Sequence, residues 1–393
     1  MKRVAIVVPR CHESLVGGAE AHGWQYATML ADEYAVDLLT TTASDYVSWN
    51  NDLPEGDELC EGVRIRRFRV TRGRGDYFHD LHRRLLAHFA ARTEAPCVDW
   101  PESLQEEFIR AQGPVCTGLE RYLATHGDDY AAVIFLTYLY PTTYDGSRAL
   151  RHRRWGLVPT LHDEPPAYFD AFARMARRVP RFLWNTEAER RLGKRLWGVD
   201  GGGIVAMTVS TQRVAPASEA APYVLYSGRI DTHKGCAMLV EAFEAYKRER
   251  PSDLQLVLTG ADHIGVRTSA NVRYLGFVDE ARKFALMAGA RAFVHPSPYE
   301  SLSIVALEAM AQGTPIVVNG ACEILVDHVM ASGSGYVFRG VAELAGALDA
   351  MLTLDDAART RQACAARDYV LSRYAHDSVR ARLIATVEAL ADN

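Results

Sequence analysis

His295-Pro-Ser-Pro-Tyr-Glu300-Ser-Leu-Ser-Ile-Val-Ala-Leu-Glu308-Ala-Met-Ala-Gln-Gly313-Thr-Pro315 runs from an apolar strand end, through a proline-bearing loop, into a helix and out through a glycine-proline turn. Glu300 stands just before that helix, and Glu308 lies inside its apolar run, Ile304 to Met310. A carboxylate among apolar side chains needs a partner, because an unpaired buried charge costs several kcal/mol, roughly. A hydroxyl pair such as a ribose diol, or a neighbouring cation, would satisfy Glu308. Two carboxylates also suit general acid/base hydrolysis, and spacing along the chain does not exclude it.

Strand and helix patterns alternate on both sides of this stretch. Tyr223–Tyr226, Leu254–Thr259, Ala292–His295 and Pro315–Val318 read as strands, with helices near Gly235–Lys247, Asp279–Met287 and Ser303–Gln312. Residues 341 to 391 read as almost wholly helical. The start of the chain repeats the theme: strand Arg3–Val8, a loop with Gly17 and Gly18, helix Ala19–Asp32 and strand Ala35–Thr41. Apolar runs at Ala131–Thr137, Leu157–Leu161 and Arg181–Trp184 extend it. Short apolar strands separated by helices predict an α/β class with parallel sheets covered by helices. The small, polar, proline-bearing segment Val209–Pro222 reads as a linker.

Length and charge agree with two domains. The chain has 393 residues, more than one hydrophobic core usually organises. Its net charge is −5, and neither half is basic, which excludes a nucleic-acid module. Seven cysteines, an odd number without CxxC spacing, fit reduced thiols and a cytoplasmic setting. The apolar run Val4–Val8 is too short for a signal peptide or a membrane span. Lysine supplies only five basic residues, Lys2, Lys194, Lys234, Lys247 and Lys283, in a chain that otherwise uses arginine.

One of those lysines falls in Tyr223-Val-Leu-Tyr-Ser-Gly228-Arg229-Ile-Asp-Thr-His-Lys234-Gly235. Gly228, Arg229 and Lys234 sit between a strand and a helix start, where fixed cations and free N–H groups make an anion site. The implied ligand is a phosphate or diphosphate. A surface Arg/Lys pair is the plainer account of either residue alone.

Taken together, Gly-Arg-Ile-x3-Lys-Gly, then Asn271-Val-Arg-Tyr-Leu-Gly-Phe-Val, then Phe293-Val-His-Pro-Ser-x2-Glu-x7-Glu-Ala-Met-Ala-x-Gly-x-Pro resemble the nucleotide-sugar glycosyltransferases of the GT-B fold. The likeness is to retaining glycosyltransferase family four, which includes bacterial mannosyl- and glucosyltransferases. It implies two Rossmann-like, doubly wound domains with a cleft between them: an acceptor domain over 1–209, a donor domain over 210–375 and a helix over 376–393 returning to the first. By the same resemblance Arg229 and Lys234 hold the donor diphosphate, Glu308 the ribose, and Glu300 hydroxyls of the transferred sugar. Main-chain groups of Ser301, Leu302, Ser303, Ile304 and Val305 lie against the donor, and Val278 and Lys283 flank the base. The Ser-Leu-Ser after Glu300 departs from the family's usual aromatic-glycine step.

In the first half, Gly17-Gly18-Ala19-Glu20 allows close approach of backbone to a phosphate. It is not GxGxxG, and Leu38-Leu39-Thr40-Thr41-Thr42 ends in no acidic residue, which disfavours a dinucleotide dehydrogenase. His162, in Thr160-Leu-His-Asp-Glu-Pro-Pro166, is a structural hydrogen-bonder on ordinary grounds. The resemblance instead implies contact with the donor sugar near the reacting centre. Tyr138-Leu-Tyr140-Pro-Thr-Thr-Tyr144 is either an acceptor-lining aromatic loop or packing. Gly62–Arg92 holds nine arginines against two aspartates, a basic amphipathic stretch that would suit an anionic membrane or an acceptor's phosphates.

The resemblance thus implies a metal-independent hexosyltransferase with no cofactor beyond a UDP- or GDP-linked sugar. Its partners would be a glycan or lipid-linked acceptor in bacterial cell-surface polysaccharide or glycolipid synthesis, at the inner face of the plasma membrane. An epimerase or phosphorylase of the same fold, or a non-enzymatic nucleotide-sugar-binding protein, is the alternative. Base, sugar, acceptor, linkage and oligomeric state stay open at the level of sequence.

Overall fold

The computed structural model describes residues 1–11, 17–91 and 97–392. The chain divides into two compact units: Met1–Met207 with Val379–Asn393, and Thr208–Ser378.

The first unit is built on strands β1 (Arg3–Val7), β2 (Ala35–Thr41), β3 (Gly56–Cys60), β4 (Val63–Phe68), β5 (Ala132–Leu136), β6 (Trp155–Val158), β7 (Arg181–Trp184) and β8 (Gly203–Ile204). Among the described residues they form one sheet in the order β3-β4-β2-β1-β5-β6-β7-β8, parallel except for the β3–β4 hairpin. Central strands covered on both faces must be apolar at every position, and β5 (AVIFL) is buried throughout. Val379, Leu383, Val387 and Leu390 recur at helical spacing on His376–Ala391 and join the core of Val4, Ile6, Val158 and Leu183.

The stretch 62–92 behaves differently from its reading as a basic amphipathic segment. Residues 63–68 are strand β4, and Phe78–Ala90 is a helix that buries Phe78, Leu81 and Leu85. Register places Asp37 of β2 beside Arg64, whose Nε lies 2.7 Å from the carboxylate, and Asp57 of β3 beside Arg66, which it pairs. Glu58 pairs Arg67 at 2.5 Å, and Glu107 pairs Arg72 at 2.7 Å. The acids that compensate this stretch come from neighbouring strands and a helix, so a count along the chain overstates its free charge. Arg92 lies outside the described residues.

The second unit holds β9 (Tyr223–Ser227), β10 (Gln255–Thr259), β11 (Val272–Tyr274), β12 (Ala292–His295), β13 (Ile316–Asn319) and β14 (Tyr336–Phe338). All pairings are parallel, in the order β11-β10-β9-β12-β13-β14. This is the 3-2-1-4-5-6 order of a doubly wound sheet. Its winding reverses between β9 and β12, and ligands bind at the strand carboxyl ends beside such a reversal. Residues 209–222 have no regular structure, yet they are strapped to this unit rather than left as a free linker. Val209 N–H donates to Tyr374 O, Val214 N–H to Gln312 Oε1 and Ala217 N–H to Ala285 O.

Candidate active site

The site grows from the two strands at the reversal. After β9, Gly228 turns the chain with φ +147°. Arg229 Nε then meets Asp231 Oδ2 at 2.6 Å, while Asp231 Oδ1 accepts from the Lys234 N–H at 2.8 Å. Burial pushes the Asp231 carboxyl up, but the Lys234 N–H and the Arg229 charge outweigh it and hold the group below its ordinary range. Gly235 follows with φ +74°, and a Cβ there would stand 2.7 Å from Pro296 O. Only glycine lets the start of helix Cys236–Glu249 approach the loop after β12 this closely.

That loop brings the opposite charge. Lys234 Nζ donates to Glu300 Oε1 at 2.6 Å, with both side chains mostly buried. His295, fully enclosed at the end of β12, accepts the Ser297 N–H on Nδ1 and turns Nε2 toward the same carboxylate oxygen, 3.4 Å away. Burial pushes the imidazole down to about 4 against the pull of Glu300, so at neutral pH the ring carries no charge. Lys234, unlike His295, therefore brings a positive charge to Glu300.

Helix Ile304–Ala311 starts from Ser303, a non-glycine residue at φ +64°. Leu302 O is held by His328 Nε2 at 2.7 Å, which fixes the turn from behind. Ser301, Ile304 and Val305 are half-buried along it, and Leu302 and Ser303 are buried. One turn on, Glu308 meets Lys283 Nζ at 2.9 and 3.0 Å. Of the partners open to Glu308, the structure supplies the cation. Burial pushes the Glu308 carboxyl up, with Lys283 opposing. Val278 is half-buried just ahead of helix Glu280–Gly289, which carries Lys283.

The structure thus brings together Lys234 with Glu300 and Lys283 with Glu308, and gives Arg229 an aspartate the sequence reading passed over. Asp231 was legible as a short polar side chain three residues before a backbone N–H it could accept. His295 stood in the quoted stretch without a role.

In the first unit, Gly17 and Gly18 begin helix Gly18–Leu30. A Cβ on Gly17 would lie 2.0 Å from Glu20 Oε2, whereas Gly18 faces open space. The nearest neighbour of a Cβ on Gly17 is the chain's own Glu20 carboxylate, which is paired with Arg10 at 2.5 Å. Tyr138 and Tyr144 are packing residues rather than a free aromatic lining. Both are buried, with Tyr138 donating to Glu164 Oε1 at 2.9 Å and Tyr144 to Glu106 Oε1 at 2.8 Å. His162 is half-buried in the turn after β6, which ends at Val158 because Thr160 leaves the extended region with φ +50°.

Residues 210–369 match the family described as glycosyl transferases group 1. Glycogen synthase of Mycobacterium tuberculosis is 33% identical over 162 residues, 38% of this chain and 38% of that protein. Phosphatidyl-myo-inositol mannosyltransferase of Mycobacterium leprae is 31% identical over 236 residues, 56% of this chain and 59% of that protein. The chain therefore spans between about two-fifths and three-fifths of the length of these relatives. A solved E. coli structure described as trehalose-6-phosphate bound with UDP-2-fluoro glucose superposes with a TM-score of 0.68 at 13% identity, covering 100% of this chain and 99% of that one. The chain has the GT-B fold, and its residues 210–369 carry the match to the glycosyl transferases group 1.

Proposed function

We propose that this protein is a retaining glycosyltransferase that moves a hexose from a UDP- or GDP-linked sugar to a hydroxyl of a glycan or lipid-linked acceptor in cell-surface polysaccharide or glycolipid synthesis. The observation that carries the reading is Lys234 beside Glu300 at the carboxyl ends of the two strands where the second sheet reverses. A cation next to a carboxylate suits a ligand whose diphosphate adjoins a hydroxyl-rich ring. The mannosyltransferase likeness and the UDP-sugar in the structural neighbour support that donor class.

In this reaction the acceptor oxygen forms a bond to the anomeric carbon as the bond from that carbon to the diphosphate oxygen breaks. The acceptor proton passes to the departing phosphate. Arg229 and Lys234 stabilise charge that grows on the diphosphate, an electrostatic contribution made before the reaction starts. Glu300 accepts hydrogen bonds from sugar hydroxyls and Glu308 from the ribose, while Lys283 balances Glu308. His162 contacts the transferred sugar. No metal enters the scheme.

The test is release of nucleoside diphosphate from a panel of UDP- and GDP-sugars, with and without EDTA, by the unmodified protein, Lys234→Ala and Glu300→Ala. Turnover that survives both substitutions unchanged would overturn this assignment.

A further inference from the structure

Glu189 is a completely buried carboxyl with no arginine or lysine bonded to it among the described residues. It opens helix Glu187–Trp197, where Thr186 Oγ1 accepts its N–H at 3.0 Å. In an ordinary capping box the glutamate reaches back only to the residue at the cap. Here it bridges two strand ends. Oε1 accepts the Leu161 N–H at 2.7 Å, from the turn after β6, and Oε2 accepts the Asn185 N–H at 2.6 Å, at the end of β7.

The turn that Glu189 holds is the one that carries His162. Its backbone is held in an unfavourable conformation, since Thr160 is a β-branched residue at φ +50°. Such a conformation persists only where the surroundings over-determine it. The bond from Leu161 N–H fixes the Thr160–Leu161 peptide, on the N-terminal side of the residue that precedes His162, and the His162 O accepts from Glu164 N–H on the other side. We infer that Glu189 is a positioning residue: through Leu161 it sets the backbone, and hence the ring, of His162. The consequence for catalysis rests on the role proposed for His162, whereas the positioning itself does not.

Two variants test it. Glu189→Gln keeps the volume but sets an amide NH2, which cannot accept, against one of the two N–H groups that the two carboxylate oxygens serve, and Glu189→Ala accepts neither. Hydrogen exchange of residues 157–164, read by mass spectrometry, should accelerate in both, more in the alanine variant, while β1 and β5 stay protected. The His162 ring resonance, assigned by its loss in His162→Gln, should shift or broaden. With the UDP- or GDP-sugar that the unmodified protein hydrolyses, kcat should fall about 10- to 100-fold with KM nearly unchanged, the scale of a misplaced catalytic group. Glu189→Ala added to His162→Ala should then have little further effect. Unchanged exchange and ring signals overturn the inference, as does a loss of protection spread evenly over the first unit. Altered exchange and ring signals with undiminished kcat uphold the positioning and count against His162 as a sugar contact.

Discussion

Lys234 Nζ and Glu300 Oε1 lie 2.6 Å apart, although 66 residues separate them in the chain. The group assigned to the diphosphate and the group assigned to the sugar pair with opposite charge, and the His295 ring beside them is neutral and adds no second positive charge. Removing the lysine alone should therefore cost more than removing both. Lys234→Met should lower stability by about 1–3 kcal/mol, the range for removing one partner of a mostly buried, charged hydrogen bond. Lys234→Met/Glu300→Gln should recover part of that loss, and urea unfolding of the four proteins in the cycle measures the coupling.

Gly235 sets the distance between those two groups. Alanine at this position would need a left-handed backbone, about 1–2 kcal/mol unfavourable, and would press its Cβ on Pro296 O. Gly235→Ala should weaken donor binding more than tenfold in titration calorimetry while the second unit stays folded by circular dichroism.

Glu189 also gives the first unit a pH signature. Burial pushes its carboxyl from 4.5 up to about 8, against the N–H donors that favour the ionised form. A folded-state value raised above the unfolded one means that its contribution to stability is complete below pH 4.5. That contribution is lost as pH rises through about 8. Unfolding free energies at pH 5, 7 and 9 should fall more steeply for the unmodified protein than for Glu189→Gln, which does not titrate.

The C-terminal segment is part of the first unit's core. Val379, Leu383, Val387 and Leu390 have no solvent exposure. Each represents about 1.5–3 kcal/mol of burial, so together they approach the whole stability of a typical domain. Deleting residues 376–393 should abolish cooperative thermal unfolding of that unit, and a truncated protein with an unchanged melting curve would refute this.

Both sheets were legible wherever strands are central, because β5 is apolar throughout and β1, β9 and β12 are apolar but for one end residue, short runs that alternate with helical patterns. β3 and β4 were obscured because their arginines and acids answer one another across strands, a pairing that appears only once Asp37 and Asp57 fall into register with Arg64 and Arg66. β11 and β14, at three residues each, are too short to show a pattern. At the site, the ordered motif marked Arg229, Lys234, Glu300 and Glu308, but not which side chains pair, since contacts such as Lys283 to Glu308 join residues far apart in the chain. Glu189 was hidden altogether. In Glu187-Ala-Glu-Arg-Arg it reads as one more surface acid, and only the turn of β6 against β7 buries it.

The central claim is that Lys234 and Glu300 together engage a nucleoside diphosphate sugar. The most direct measurement is calorimetric titration of UDP-glucose, GDP-mannose and the free diphosphates UDP and GDP into the unmodified protein, Lys234→Ala and Glu300→Gln. One base should bind the unmodified protein. Lys234→Ala should weaken both its free diphosphate and its sugar form at least tenfold, whereas Glu300→Gln should weaken the sugar form and leave the free diphosphate nearly unchanged. Equal affinities across all three proteins, or binding of none of the four ligands, would contradict the account.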